Sequence, residues 1–453
     1  MERAQITNIS ILVVGAGIAG LTFAIEAYRK GHNVRLFERR PAAETEGEMI
    51  LILPHALHTP SQWPGFIERA SKEALPKRSI YRKHDGTVVL DMHFEAHQGH
   101  ILAIYRGALH NLLYAYSQEL GIPIEFSTSV SNFDETEGKG SITLNDGRTF
   151  TADVVVAADG IGTKSWEAVV GTKDSPVSSG FVLYRRSYPE EVGMQDPDIA
   201  REFGDTNVGG WLTFGPDAHC VVTHGQGKFS YLLTCSDKDF GTTEDWQKYV
   251  PVERALETTK GWSPGLVKLI EKSPDRQMLE WKLMWRDPQP QSVAPRGRIV
   301  QIGDAAHPFL PTSANGASMA MEDGYTLAAC LQLGGSDNIP QATKVFNHLR
   351  FERVACAQKQ GFKFREVLHK MDPDFIKDHP ELLESMSKNW TTTHNAEKYT
   401  YDNYAACAEH LQNGTPFKNT NIPPGYTYKP WTVKELLHAS ELGLPDEDEG
   451  QWL

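Results

Sequence analysis

Cysteine is sparse in this chain. Its five cysteines, Cys220, Cys235, Cys330, Cys356 and Cys407, stand far apart and form no CxxC pair. That spacing excludes a disulfide framework and a thiolate metal site, and leaves small, reduced, buried side chains. Long hydrophobic runs are missing too: no stretch reaches the roughly 18 apolar residues of a membrane helix. The start, MERAQITNIS, lacks the apolar centre of a signal peptide. A cytoplasmic protein with no membrane span is expected. Basic residues are in the minority, 45 against 58 acidic, for a net charge of −13. That balance argues against nucleic acid as a partner. HExxH, His-x-His and GxSxG are absent, so nothing points to a metal centre or a hydrolase nucleophile. There are no internal repeats.

What is present begins with ILVVGAGIAGLTFAIEAYRKGHNVRLFER, Ile11 to Arg39. An apolar, β-branched run over Ile9–Val14 reads as a buried parallel strand. Leu21, Ala24, Ile25 and Tyr28 repeat at helical spacing, and Gly31 closes that helix. Val34–Phe37 is the next strand, completing a βαβ unit. Gly15, Gly17 and Gly20 form GxGxxG between strand and helix. The first glycine permits the tight turn, the second admits a pyrophosphate, and the third lets helix and strand pack closely. The helix N-terminus offers its unpaired N–H groups to phosphate. Glu38, 18 residues after Gly20, ends the second strand, where a carboxylate accepts both ribose hydroxyls of an adenosine. It would repel a 2′-phosphate. FAD and NAD both fit this unit.

A helix is expected near Gly107–Leu120 and a strand at Val154–Ala157, ending in Ala158-Asp159-Gly160. From about Pro176 to Met284 the pattern changes to strand-like alternation, as in FVLYRRSYP and FSYLLTC, suggesting an antiparallel sheet. VQIGDAAHPFLPTSANGASMAMEDG, from Val300, then restores a buried strand, a glycine turn and a long helix over about Asn315–Gln332. Asp304 sits at that turn, where it can hydrogen-bond a polyol chain such as ribityl. Pro308 and Pro311 stiffen the loop. Gly316 and Ala317 open the helix, whose N–H groups suit the pyrimidine edge of a flavin, where negative charge collects on reduction.

With these motifs in order, the chain resembles the single-component FAD-dependent aromatic hydroxylases, the group of para-hydroxybenzoate and salicylate hydroxylases, and among them fungal enzymes of secondary metabolism. The resemblance rests on GxGxxG with Glu38, on Asp159-Gly160, and on GDAAHPFLP at Gly303–Pro311. It also rests on RGALHNLL at Arg106–Leu113 and on GEMILILPHAL at Gly47–Leu57. It implies that Arg106, Gly47 and Asp159 contact FAD, that Asp304 holds the ribityl chain, and that Gly316 and Ala317 face the isoalloxazine. It implies that NAD(P)H visits as a transient co-substrate, since the family carries no second GxGxxG and neither does this chain. Dioxygen would supply one oxygen atom to an aromatic small molecule. This chain departs from the family where Ala314-Asn315-Gly316 replaces the usual GQG, and where Met49 and His55 replace a glycine and an asparagine.

The expected fold is α/β: a Rossmann-like FAD-binding domain (1–75, 100–175 and 290–372) interrupted by a mostly antiparallel β substrate domain (76–99 and 176–289). A helical, Pro-rich C-terminal segment (373–453) follows. On the substrate side Arg185 is the chosen catalytic residue, facing opposite to its two strand neighbours, where a fixed cation stabilises a phenolate or the negative flavin edge. Tyr184 is the second candidate, weighed against core packing. His219, His224 and Tyr231 share the same sheet as possible cavity residues, and His307 reads as loop packing. The expected activity is NAD(P)H-using hydroxylation or epoxidation of an aromatic or indole-like compound. The alternative is a flavin oxidase or dehydrogenase, or a non-redox flavoprotein such as a cyclase.

Overall fold

The computed structural model describes residues 1–43, 47–93, 101–172, 176–237, 248–370, 375, 377, 379, 390–444 and 448–452, without the side chains of Thr312 and residues 365–370. The expected domain pieces at 94–100, 173–175, 238–247 and much of 371–389 lie outside the described residues.

Strand β1 (Ser10–Val14), helix α1 (Ile18–Arg29) and strand β2 (Asn33–Phe37) form the predicted unit. Five parallel strands follow the order Ile299–Gln301, Val154–Ala157, β1, β2, Ile124–Glu125. Both faces of the sheet are covered, which is why its strands read as continuous apolar runs. Ile11, Val13, Val154, Val156 and Val300 pack with α1 and the Gly316–Gly334 helix. Leu12, Val14, Val155 and Ile299 instead meet Phe133, Ile142 and Leu144 of a three-stranded antiparallel sheet over residues 130–152.

The interrupting layer is one eight-stranded sheet drawn from residues 78–93, 177–236 and 249–285. Its pairings are antiparallel except between Val208–Gly215 and Arg78–Lys83. Directly opposed residues share a face. Arg186, Tyr231, Val222 and Trp211 lie in one cross-strand row, and Tyr231, Val222 and Trp211 join the core that this sheet forms with neighbouring helices. Arg185, Leu232, Val221 and Leu212 form a row on the other face, with Leu183, Thr234, His219 and Phe214 beside it.

The C-terminal segment is anchored to the first domain. Glu397, at the start of the Ala396–Asn413 helix, pairs with Arg29 at the end of α1 and with Lys30, the residue that follows it, and accepts from Thr59 Oγ1 at 3.0 Å. Further on, Thr432 and Glu435 form a capping box for the Val433–Glu441 helix. Trp431 and Val433 pack against Trp285 and Phe362. Among the described residues no helix is long and apolar enough to cross a membrane, and no cluster of acidic, histidine and cysteine side chains suits a metal ion.

Candidate functional site

β1 delivers the chain to Gly15, whose φ of +100° suits glycine alone. A Cβ there would stand 2.4 Å from the Ala158 carbonyl oxygen, and one on Gly20 would stand 2.0 Å from the Gly15 oxygen. Close packing therefore fixes both. Gly17 differs: a Cβ on it meets nothing within 4 Å. It precedes α1, whose N-terminus has no side-chain cap and no acid in its first turn. The positive end of the helix is thus left for an anion. Glu38 Oε2 accepts from Ala16 N and its Oε1 from Arg40 N, each at 2.8 Å. Each oxygen keeps a lone pair for a ribose hydroxyl.

Asp159 leans on the same turn, its Cα 2.9 Å from where a Gly15 Cβ would be. Its Oδ1 is enclosed without a hydrogen-bond partner. Burial pushes this carboxyl up to about 6, with the Thr163 hydrogen bond opposing. A buried orphan oxygen on a phosphate-type turn is what a bound dinucleotide or ordered solvent satisfies.

The other motifs close on this turn. A Cβ on Gly303 would lie 2.9 Å from Ala19 of α1, so the GDAA loop packs directly onto the first motif. Asp304 is exposed to solvent on this loop, with protein packed on its other sides. Desolvation by the surrounding protein raises its carboxyl above the usual range, and His307, Arg106 and Arg286 offset only part of that. Arg106 opens the Arg106–Glu119 helix, and its N–H donates to Glu48 O at 2.9 Å. Gly47 has a φ of +140°, and its missing side chain leaves room for Arg106, whose Cβ a new Cβ would approach to 2.9 Å. The Glu48 carboxylate pairs with Arg185 of the eight-stranded sheet. Gly47, Arg106, Asp304 and Arg185 therefore form one connected neighbourhood.

At the start of the Gly316–Gly334 helix, a Cβ on Gly316 would meet Phe309 at 3.2 Å. Ala317, the second residue of that helix, is half-buried against the main core. Ala314 occupies the left-handed region, with φ +50°. The 47–57 segment is stitched onto this helix. Leu53 N donates to Ser318 Oγ at 3.0 Å, and Tyr325 OH to Ala56 O at 2.8 Å. His55 is fully buried between Glu322 Oε1, 2.6 Å from its Nδ1, and Asn315 Oδ1, 3.2 Å from its Nε2. Behind it, Arg353 donates to both Glu322 oxygens, at 2.7 and 2.8 Å, and Arg350 bridges Glu322 to Asp323. Burial alone would raise Glu322, but Arg353, Arg350 and His55 override it and hold the carboxyl well below the usual range. Asp323 in turn accepts from Gly303 N at 2.9 Å and lies 2.5 Å from His307 Nε2.

Sequence reasoning missed this network, because its members stand up to about 300 residues apart and no spacing marks them. His307 was expected only to pack; it is a hydrogen-bonding member of the network. Tyr184 is also corrected. It lies on the opposite face of the strand from Arg185, in the core with Val182, Tyr188 and Cys235, because adjacent strand residues point to opposite faces. His224 and Tyr231 share that inner face, bonded to Phe203 O at 2.9 Å and Ser273 Oγ at 2.8 Å. His219 lies in the row beside Arg185.

A narrow, half-open cleft adjoins these motifs. Trp285, Arg286, Phe309, Leu310, Phe362 and Trp431 line it. Its chemistry is aromatic with one cation, as small-molecule sites commonly are.

An uncapped helix N-terminus behind an open glycine, a carboxylate at Glu38 with free lone pairs, an orphan Asp159 oxygen and the exposed Asp304 carboxylate fit FAD. These features define a flavin-dinucleotide-binding protein. The FAD binding domain family matches residues 8–181. The FAD-dependent monooxygenase fsr3 of Gibberella fujikuroi is 34% identical across 99% of this chain and 90% of its own length. The crystal structure of CtdE in complex with FAD and substrate 4 superposes with a TM-score of 0.82 at 30% identity, covering 90% of this chain and 100% of that one. A salicylate hydroxylase substrate complex shares the fold at 21% identity and a TM-score of 0.72, over 87% of this chain and 98% of that one. The chain belongs to the FAD-dependent monooxygenases.

Proposed function

We propose that this monooxygenase takes its electrons from NAD(P)H and inserts one oxygen atom, by hydroxylation or epoxidation, into an aromatic or indole-like small molecule of fungal natural-product biosynthesis. The observation that carries the substrate reading is the cleft of Trp285, Phe309, Phe362 and Trp431 with Arg286 on its wall. The rings match a flat aromatic body, and the guanidinium matches a phenolate or carboxylate. The fungal relatives support the pathway reading.

Bound FAD supplies the redox chemistry that activates dioxygen. The chain's own residues bind and orient. Gly15, Gly17, Gly20 and the α1 N-terminus take the pyrophosphate, Glu38 the adenosine ribose and Asp304 the ribityl chain, with Gly47, Arg106 and Asp159 around them. Gly316 and Ala317 present backbone N–H groups to the pyrimidine edge. Arg185 holds positive charge beside the flavin, steadied by Glu48. The division into 1–75, 100–175 and 290–372 for FAD and 76–99 and 176–289 for substrate is part of this reading, supported by the separation of the five-stranded from the eight-stranded sheet.

The reaction balances as substrate, dioxygen, NAD(P)H and a proton giving the oxygenated product, water and NAD(P)+. Turnover under ¹⁸O-labelled dioxygen with an aromatic panel tests it. One labelled oxygen per product molecule is expected. Product without label would favour the oxidase, dehydrogenase or cyclase alternative.

A further inference from the structure

The cleft draws its walls from separate parts of the chain. Trp285 ends the last strand of the eight-stranded sheet, and Arg286 follows it. Phe309 lies in the loop before the Gly316–Gly334 helix, and Phe362 on the Ile339–Lys370 helix. Trp431 comes from neither expected domain but from the C-terminal segment. It is 8% exposed and shares one apolar cluster with Trp285, Phe362 and Leu310.

The chain around Trp431 is fastened down. Before it, the Tyr428 ring meets Phe351 edge-on, with centroids 5.3 Å apart. After it, Val433 N donates to Asp287 Oδ1 at 2.7 Å, one residue from Arg286. Further on, Asp448 pairs with Lys359 and Lys363, at 2.6 and 3.0 Å. Phe351, Lys359 and Lys363 all belong to the helix that carries Phe362. Trp431 is therefore a fixed wall of the cleft, and a close-packed wall bounds what fits beside it.

We propose that Trp431 is a specificity-determining residue, through which the C-terminal segment sets how long a fused aromatic system the cleft accepts. The inference rests on the reading that this cleft takes the aromatic substrate. Arg286 holds an anionic substituent, and the rings extend between the aromatic walls until Trp431 stops them.

The test is calorimetric titration of the FAD-loaded full chain with benzoate, 2-naphthoate and anthracene-2-carboxylate. These probes keep one carboxylate and add one fused ring at a time. The wild type should bind anthracene-2-carboxylate less well than the shorter probes. Trp431→Ala should raise the affinity for anthracene-2-carboxylate, relative to benzoate, about tenfold. Trp431→Phe, which keeps a ring in place, should lie closer to the wild type. A merely structural role predicts equal weakening of all three probes. Trp431→Leu replaces Trp431→Ala if that variant fails to fold. An unchanged ratio in the folded variant, or a wild type that already binds anthracene-2-carboxylate best, would overturn the proposal. Arg286→Ala separates the two readings. If it weakens all three probes while Trp431→Ala leaves their ratio unchanged, the cleft reading stands and the role of Trp431 falls. If neither variant changes binding, or the wild type binds none of the probes, the cleft takes no aromatic anion and both fall.

Discussion

Arg185 and Glu48 form an ion pair that joins the two halves of the protein. Arg185 projects from the eight-stranded sheet. Glu48 belongs to the segment beside Gly47, and its backbone oxygen also receives the N–H of Arg106. Both side chains are largely buried, so neither is a loosely solvated surface charge. Deleting one partner of such a pair costs more than the pair itself contributes, because the other charge is stranded. Arg185→Ala is expected to retain FAD but to lower turnover at least tenfold. Flavin content and steady-state oxidation of NAD(P)H on the same preparation check this. Wild-type turnover would remove Arg185 from the site.

Asp304→Ala should lose most of its flavin. On the proposed assignment both acceptor oxygens for the ribityl chain disappear, and the cations Arg106 and Arg286 lose their neighbouring carboxylate. Two hydrogen bonds at about 1 kcal/mol each predict a fall in FAD affinity of about thirtyfold. Titration of the apoprotein, followed by flavin fluorescence, measures it. An unchanged dissociation constant would count against the assignment.

Ala314 sits at φ +50° just before the Gly316 helix. An L-residue in this region carries a cost of about 1–2 kcal/mol that glycine avoids. Glycine returns part of that through its more disordered unfolded chain. Ala314→Gly is expected to raise stability by about 0.5–1 kcal/mol. Chemical denaturation of variant and parent checks the sign. A destabilised variant would contradict it.

Asp159 gives the protein a pH dependence in the absence of flavin. Its native carboxyl is raised to about 6, above the ordinary aspartate range, chiefly by burial. The protonated form therefore favours the folded state. This contribution is complete below about pH 4 and is lost as pH rises through about 6. Asp159→Asn, which cannot ionise, should stabilise the apoprotein relative to wild type at pH 8 and lose that advantage near pH 4.5. Paired thermal melts at the two pH values read it directly. An advantage equal at both would show that Asp159 does not titrate in this window.

The glycine turn of the candidate site was legible in the sequence because its geometry is local. Gly15, Gly17 and Gly20 lie in one turn, and the next strand carries Glu38 to its side. Asp304 was legible for the same reason, at the end of a short buried strand. Arg185 could be separated from Tyr184 only by strand alternation, and the structure resolves which side faces inward. Glu48 and the cluster of His55, Asn315, Glu322, Arg350 and Arg353 left no pattern to read. Their contacts depend on how the 47–57 segment and the 32-residue helix Ile339–Lys370 dock on the Gly316 helix, which no spacing encodes. The sheet over residues 130–152 was missed too, although Gly138 and Gly147 mark its turns.

The most direct test of the central claim is the visible absorption spectrum of the purified protein, reconstituted with FAD and then given NAD(P)H without oxygen. The account predicts flavin bands at close to one FAD per chain, bleaching on addition of NAD(P)H, faster with a suitable aromatic compound, and returning when air is admitted. A protein that takes up no FAD would contradict the site described here. One whose flavin bands ignore NAD(P)H, with and without aromatic compounds, would contradict the proposed electron source and the monooxygenase cycle built on it.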